Sequence, residues 1–343
     1  MSVPAIGHNS YLQIAVESTY GTSPATATNK FEIVSAELSP NLSTFPDPSI
    51  SSVGVFPRNI VRGLQFVTGR VRVKVGFEGF EELWRALLGS YSAALVGGET
   101  LVRDHTFLES VTQKSYTSEF SLGNIPTGKV TRLQGFLVTG LAMSSAAATG
   151  ESGVFNADID FAAQDVAENT TPMTAPAGVT NLLPVEFHRM LRTSGNLKDG
   201  SGLTETSIFI RSLALRVTMP HDMQRGYLGS IWADRPVRAG MGSARVDLEY
   251  QWDANNYVLQ AALENQTPSA GGLKFLFQHP TTIGTASKRE LEITAANPVG
   301  ADFGPAIPGP GVITQKVSWM LAYDATALSA LKIRTRSLAG ALP

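Results

Sequence analysis

The sequence predicts an all-β fold with one minor helix, a β-sandwich or barrel plus a flanking helix. Three observations carry that expectation. Short apolar runs with period-two alternation dominate the chain. Glycine, 32 residues, and proline, 19, are frequent enough to bound many turns. Helical spacing is clear at only one place, 79–89.

The predicted strands fall at 11–16, 31–38, 71–77, 115–122, 132–142, 153–161, 208–218, 244–252, 273–277, 290–295 and 313–323, each bounded by Gly, Pro, Asn or Ser. The stretch TGRVRVKVGFEGFEELWRALLGS, 68–90, joins a strand directly to a helix. Val71, Val73, Val75 and Phe77 line one strand face, and Arg70, Arg72 and Lys74 line the other. Phe80, Leu83, Trp84 and Leu87, followed by Leu88, then form one helical stripe that should be core. Glu78, Glu81 and Glu82 sit where the helix N-terminus favours negative charge. Gly89 is placed to end the helix. Weaker helical spacing occurs at 253–264, and a short helix is possible at 324–332.

A chain of 343 residues with 43% hydrophobic and 16% charged residues can bury a sizeable core. The net charge of −2 argues against a protein that grips nucleic acid through phosphates. Residues 1–170 carry 11 Lys/Arg against 16 Asp/Glu, and 171–343 carry 16 against 13, so the two halves could pack on one another. With no cysteine, disulfides, thiolate metal sites and a cysteine nucleophile are excluded. The start, MSVPAIGHNSYLQIAVES, lacks the regions of a signal peptide, and no apolar run is long enough for a membrane span.

The sequence also repeats. Moved by 175 positions, the 68–90 stretch falls on ARVDLEYQWDANNYVLQAAL, 244–263. Val71 then matches Val246, Val73 matches Leu248, Phe77 matches Trp252 and Leu88 matches Leu263. The late strands VFNADIDF, 154–161, and ITQKVSWM, 313–320, hold equivalent places. The Pro-rich stretch 166–184 divides the chain. The expected plan is therefore two tandem, duplicated domains, 1–165 with an extended N-terminal arm and 185–343, joined by a linker at 166–184. Outward charges contrast at matched positions, Arg72 against Asp247 and Lys74 against Glu249. These five residues, Arg70, Arg72, Lys74, Asp247 and Glu249, are candidates for seams between units, with a solvated face as the plain alternative.

No catalytic pattern stands out. There is no GxSxG, HExxH, Walker A or strand–GxGxxG–helix unit, and GMGSAR, 240–245, leads into a strand. The five histidines, His8, His105, His188, His221 and His279, are scattered and read as surface or turn residues. Asp158 and Asp160 share a strand face and read as solvated rather than as an acid–base pair. The basic KIRTRS, 332–337, is a small patch that more naturally ends a strand or helix than grips phosphates. Neither a cofactor nor an enzyme activity is expected.

ESTYGTSPAT (17–26), the GRVRVKVGFEGFEELWRALLGS block, HTF (105–107), GESGVFNADIDFAAQD (150–165), RAGMGSARVDLEYQW and VSWMLAYD together resemble the tail tube proteins of long-tailed, siphovirus-like bacteriophages. The resemblance spans most of the chain as a pattern of order and residue type. It implies a β-sandwich or barrel with a flanking helix, and rings whose inner strands join into one barrel. It implies stacking of rings into a conduit for the genome, in a virion tail assembled from protein made in the host cytoplasm. Two units per chain favour a trimer of pseudo-sixfold symmetry, with a homohexamer as the alternative. The implied partners are further copies of the chain, the tape measure, terminator and baseplate proteins, and passing DNA held by no specific contact. A tail terminator, baseplate ring or capsid decoration protein is the second reading, and a carbohydrate-binding sandwich the third.

Overall fold

A computed structural model of the chain describes residues 10–46, 60–121, 128–147, 153–176, 180, 183–190, 210–223, 234–251, 272–306 and 313–342. The elements of the first half are β1 (Tyr11–Val16), β2 (Asn29–Pro46), β3 (Ile60–Lys74), α1 (Glu81–Leu88), β4 (Gly89–Leu95), β5 (Arg103–Glu109), β6 (Tyr116–Ser121), β7 (Val130–Ala146), β8 (Asn156–Ala163) and β9 (Asp165–Thr170). A 3-10 turn covers Phe187–Arg189. Then follow β10 (Ile210–Thr218), β11 (His221–Asp222), β12 (Val237–Arg238), β13 (Ser243–Gln251), β14 (Leu273–Ile283), β15 (Ser287–Ala295), β16 (Asn297–Ala306), β17 (Thr314–Ala322) and β18 (Leu331–Ser337). The fold is all-β with one α-helix among the described residues. The weak helical pattern at 253–264, with Trp252, lies outside them.

Two layers enclose one main core. The first is an 11-stranded antiparallel sheet in which β7, β6, β1, β2, β3 and β8 close on themselves as a barrel. β7 is the branch point. β8 and β9 follow each other along one of its edges, bridged by Gln164 N donating to Gln134 O at 2.9 Å. Its other edge takes β6 first and β10 afterwards. The exchange falls beside a bulge at Gly135, whose φ of 63° suits glycine. Beyond β10 the sheet continues through β13, β17 and β16.

The second layer is a five-stranded sheet in the order β14-β15-β18-β5-β4. α1 lies between the layers, against β7, β5 and β4. All eight of its residues are buried, and Phe80, Leu83, Trp84 and Leu87 join the core as expected. Gly89 ends the helix at φ 100°, its N–H donating to Arg85 O. The main core is a cluster drawn from both halves, with Val71, Phe136 and Ile159 alongside Leu215, Val246, Trp319 and Ile333, and Ala15, Ala27 and Met173 form a small second one.

Both sheets contain strands from either side of 166–184. That stretch includes most of β9, bridges Thr26 through Thr174, and bridges Gly76 through Pro184. Within the larger sheet one neighbour order occurs twice, β2-β3-β8-β7 and then β10-β13-β17-β16. A hairpin that joins the other layer lies between the second and third members in chain order, β4–β5 in one case and β14–β15 in the other.

Two local expectations are corrected. Residues 324–332 are not a helix: Asp324 caps the N–H groups of Thr326 and Ala327 in a turn, and β18 follows. β16 runs through a Pro-rich stretch that gave no strand signal, because an edge strand tolerates missing donors.

Candidate assembly face

Alternation gives β8, β10 and β13 and the adjoining parts of β3 and β7 one buried face and one wet face, whereas β6 is buried on both. Across β3, β8, β7, β10 and β13 the registers align the outward residues in straight rows. One row runs Arg72, Asp158, Ala142, Arg216, Arg245 and on to Met320 of β17. The next runs Lys74, Asn156, Ser144, Ala214, Asp247 and Ser318. A third begins with Glu37 of β2 and passes through Arg70, Asp160, Gly140 and Thr218.

The arginines of this face are matched to carboxylates. Arg70 Nε donates to Asp160 Oδ1 at 2.7 Å, and that bond raises the guanidinium pKa further above its usual value. Arg72 Nε lies 3.6 Å from Asp158 Oδ1. Arg245 Nε lies 2.7 Å from Asp247 Oδ1, and Arg216 Nε 3.9 Å from Asp247 Oδ2. The Ser318 hydroxyl donates to Asp247 and accepts from Arg245 Nη2 at 2.6 Å. Such exposed pairs stabilise by less than about 1 kcal/mol each, so their main effect is on the field of the surface. Where the two halves meet, β7 and β10 present the small residues Gly140, Ala142, Ser144 and Ala214, with Arg216, 3.9 Å from Asp247, as the charge among them.

The candidate seam residues therefore share one sheet of one chain. Arg72 and Asp247 stand four strands apart, about 19 Å, as do Lys74 and Glu249. Asp158 and Asp160, read from sequence as solvated, are the partners of Arg72 and Arg70. Arg216 was missed, although alternation in 210–218 places it outward. His105 corrects the surface reading of the histidines: it is fully buried in β5, its Nδ1 3.0 Å from the Tyr91 hydroxyl, and burial lowers its pKa. Two of the three KIRTRS cations are also occupied. Arg334 and Arg336 of β18 bond Asp104 of β5, and Arg334 also bonds Glu290 and Glu292 of β15. Among the described residues no group of three acidic or imidazole side chains could hold a metal ion, and no helix is long and apolar enough to cross a membrane.

An extended antiparallel sheet with an ion-paired polar face, backed by a helix and a second sheet, defines a layered all-β protein with one minor helix. The family model for phage tail tube proteins matches residues 7–321, nearly the whole chain, and the chain belongs to that family. It is thus a structural protein of the virion tail. A comparison with curated proteins gave no match.

Proposed function

We propose that copies of this chain close into rings by pairing β16 of one copy with β2 of the next, and that the rings stack into the hollow tube that delivers the genome. The observation that carries this reading is the order of the eight strands β2-β3-β8-β7-β10-β13-β17-β16. Every contact in the series is antiparallel, so β2 and β16 run in opposite directions. A rotated copy can then continue the antiparallel sheet across each junction. Along Ser35–Pro46, β3 is the only strand partner of β2 among the described residues, and β17 is the only one of β16. Open edges of this length invite pairing, and a cyclic ring satisfies them. Pro40, Pro46, Pro298 and Pro305 remove donors from these strands, which discourages indiscriminate pairing before a ring forms.

The wet face would line the bore. Ion-paired arginines and the small residues of β7 and β10 offer passing DNA few free cations, so the polymer slides rather than binds. This supersedes the seam role for Arg70, Arg72 and Lys74, and moves the junction to the two edge strands. The repeated neighbour order supports reading the chain as two related units, and hence a trimeric ring of pseudo-sixfold symmetry over a homohexamer. The tape measure, terminator and baseplate proteins would meet the bore and the ends of the tube.

Electron microscopy of the purified protein, with mass measurement of any ring, tests the proposal. Hollow tubes built from rings of three chains are expected. Rings of six chains would overturn the stoichiometry, and single rings that never stack would favour a terminator or baseplate part.

A further inference from the structure

A cavity of about 770 Å³ opens at one end of the molecule, between the two layers. Its walls include Leu88 at the end of α1, Met219 after β10 and Leu331 at the start of β18. Its rim is apolar and wet: Val111 is 92% exposed, Met241 95%, Tyr323 59% and Val237 46%. In the turn closed by the Asp324–Ser329 bridge, Leu328 is held at φ 54° and is 65% exposed. A leucine in the left-handed region is a strained arrangement, and here it presents an apolar group to water.

The opposite end of the second layer also exposes apolar side chains. β4 and β5 begin and end at the cavity, with Gly89 and Glu109, and their turn lies about 23 Å away along the seven-residue strands. Leu95 and Leu101 flank that turn, 49% and 69% exposed. The turn is firm rather than loose, because Glu99 accepts from the backbone N–H groups of Thr285, Ala286 and Ser287 in the β14–β15 turn. A rigid apolar knob and an apolar socket thus occupy opposite ends of one layer.

We propose that the β4–β5 turn of one copy seats Leu101 in the Val111–Val237–Met241–Tyr323 socket of the next copy along the tube axis. The inference rests on the tube reading above and names the contact that joins ring to ring. Knob and socket are different surfaces, so the contact is head-to-tail and repeats without closing, as a filament requires. A small apolar ligand would fit the volume, but it would leave the exposed rim in water. A second copy covers both rim and knob, and apolar patches of this kind mark such contacts.

The absence of cysteine makes the test direct. The double variant Leu101→Cys with Met241→Cys, oxidised after assembly, is expected to give an open-ended ladder of covalent multimers on non-reducing gels. Each single variant should stop at dimers. A double variant no more cross-linked than the singles overturns the contact. Independently, Leu101→Glu should abolish tubes while leaving ring mass unchanged. Normal tubes from that variant, or loss of rings together with tubes, would each overturn the assignment. A wild-type protein that is monomeric by mass would instead remove the ring reading itself, and with it this contact.

Discussion

Arg238 of β12 sets its guanidinium Nη2 2.9 Å from the carbonyl oxygen of Leu87, and so caps the C-terminus of a helix 151 residues earlier in the chain. The same guanidinium bonds Leu88 O and Ser110 O, while Gln113 bonds Ala86 O. The last carbonyls of a helix have no partner of their own, and a cation there also meets the negative end of the dipole. Replacing Arg238 by Met removes the side-chain donor from Leu87 O and Ser110 O, while Leu88 O keeps the Ser110 N–H. The expected loss is about 1–3 kcal/mol, read as a lower urea midpoint with an unchanged slope. An unchanged midpoint would show that water replaces the guanidinium without loss.

Gly135 allows β7 to change partners. A Cβ there would lie 2.7 Å from the Tyr20 ring, and the positive φ strains any L residue. Gly135 N also donates to Glu17 Oε1 at 2.9 Å, tying the bulge to the end of β1. Gly135→Ala should therefore destabilise by about 1–2 kcal/mol or more, visible in thermal melts. Gly98→Ala, also at positive φ but with nothing within 4 Å, separates backbone strain from the clash. Equal shifts in the two variants would refute the role of Tyr20.

The alternation of Val71, Val73 and Val75, and the stripe from Phe80 to Leu87, were legible because both periods are local properties of the chain. The pairing of β5 with β18 was not, since Phe107 opposite Ile333 joins segments more than 200 residues apart with no local signal. Glu81 and Glu82 show the limit on the candidate residues. Their positions at the helix start were legible, yet their burial depends on β6 and β18 arriving from elsewhere. Tyr116 donates to Glu82 at 3.0 Å, and Ser337 donates to Glu81 at 2.9 Å. The outward face was readable strand by strand, but the in-chain matching of Arg70 with Asp160 required the β3–β8 register.

Glu99 clasps the β4–β5 and β14–β15 turns. The N–H groups of Thr285 and Ala286, with Ser287, hold its carboxyl pKa down to about 2. A lowered pKa means the clasp is complete above the ordinary carboxylate range and lost as pH falls through about 2. Glu99→Ala should speed amide exchange at 285–287 at neutral pH and leave β10 and β13 unchanged. Unaltered exchange at those three residues would show that the turn is held by its own geometry.

Glu81 supplies a pH dependence of the opposite sign. Burial pushes its carboxyl up to about 7, with Glu78 adding repulsion and the Ser337 hydroxyl opposing. The folded state therefore holds a proton that the unfolded chain has released above about pH 4.5. Stability from this group is full below pH 4.5, falls by on the order of 1.4 kcal/mol per pH unit above it, and levels off past about 7. Glu81→Gln keeps the shape and removes the titration. The variant should be the more stable protein at pH 8 and should lose the downward slope between pH 5 and 7. Chemical denaturation of both proteins across that range is the measurement, and parallel curves would show that Glu81 ionises freely in the fold.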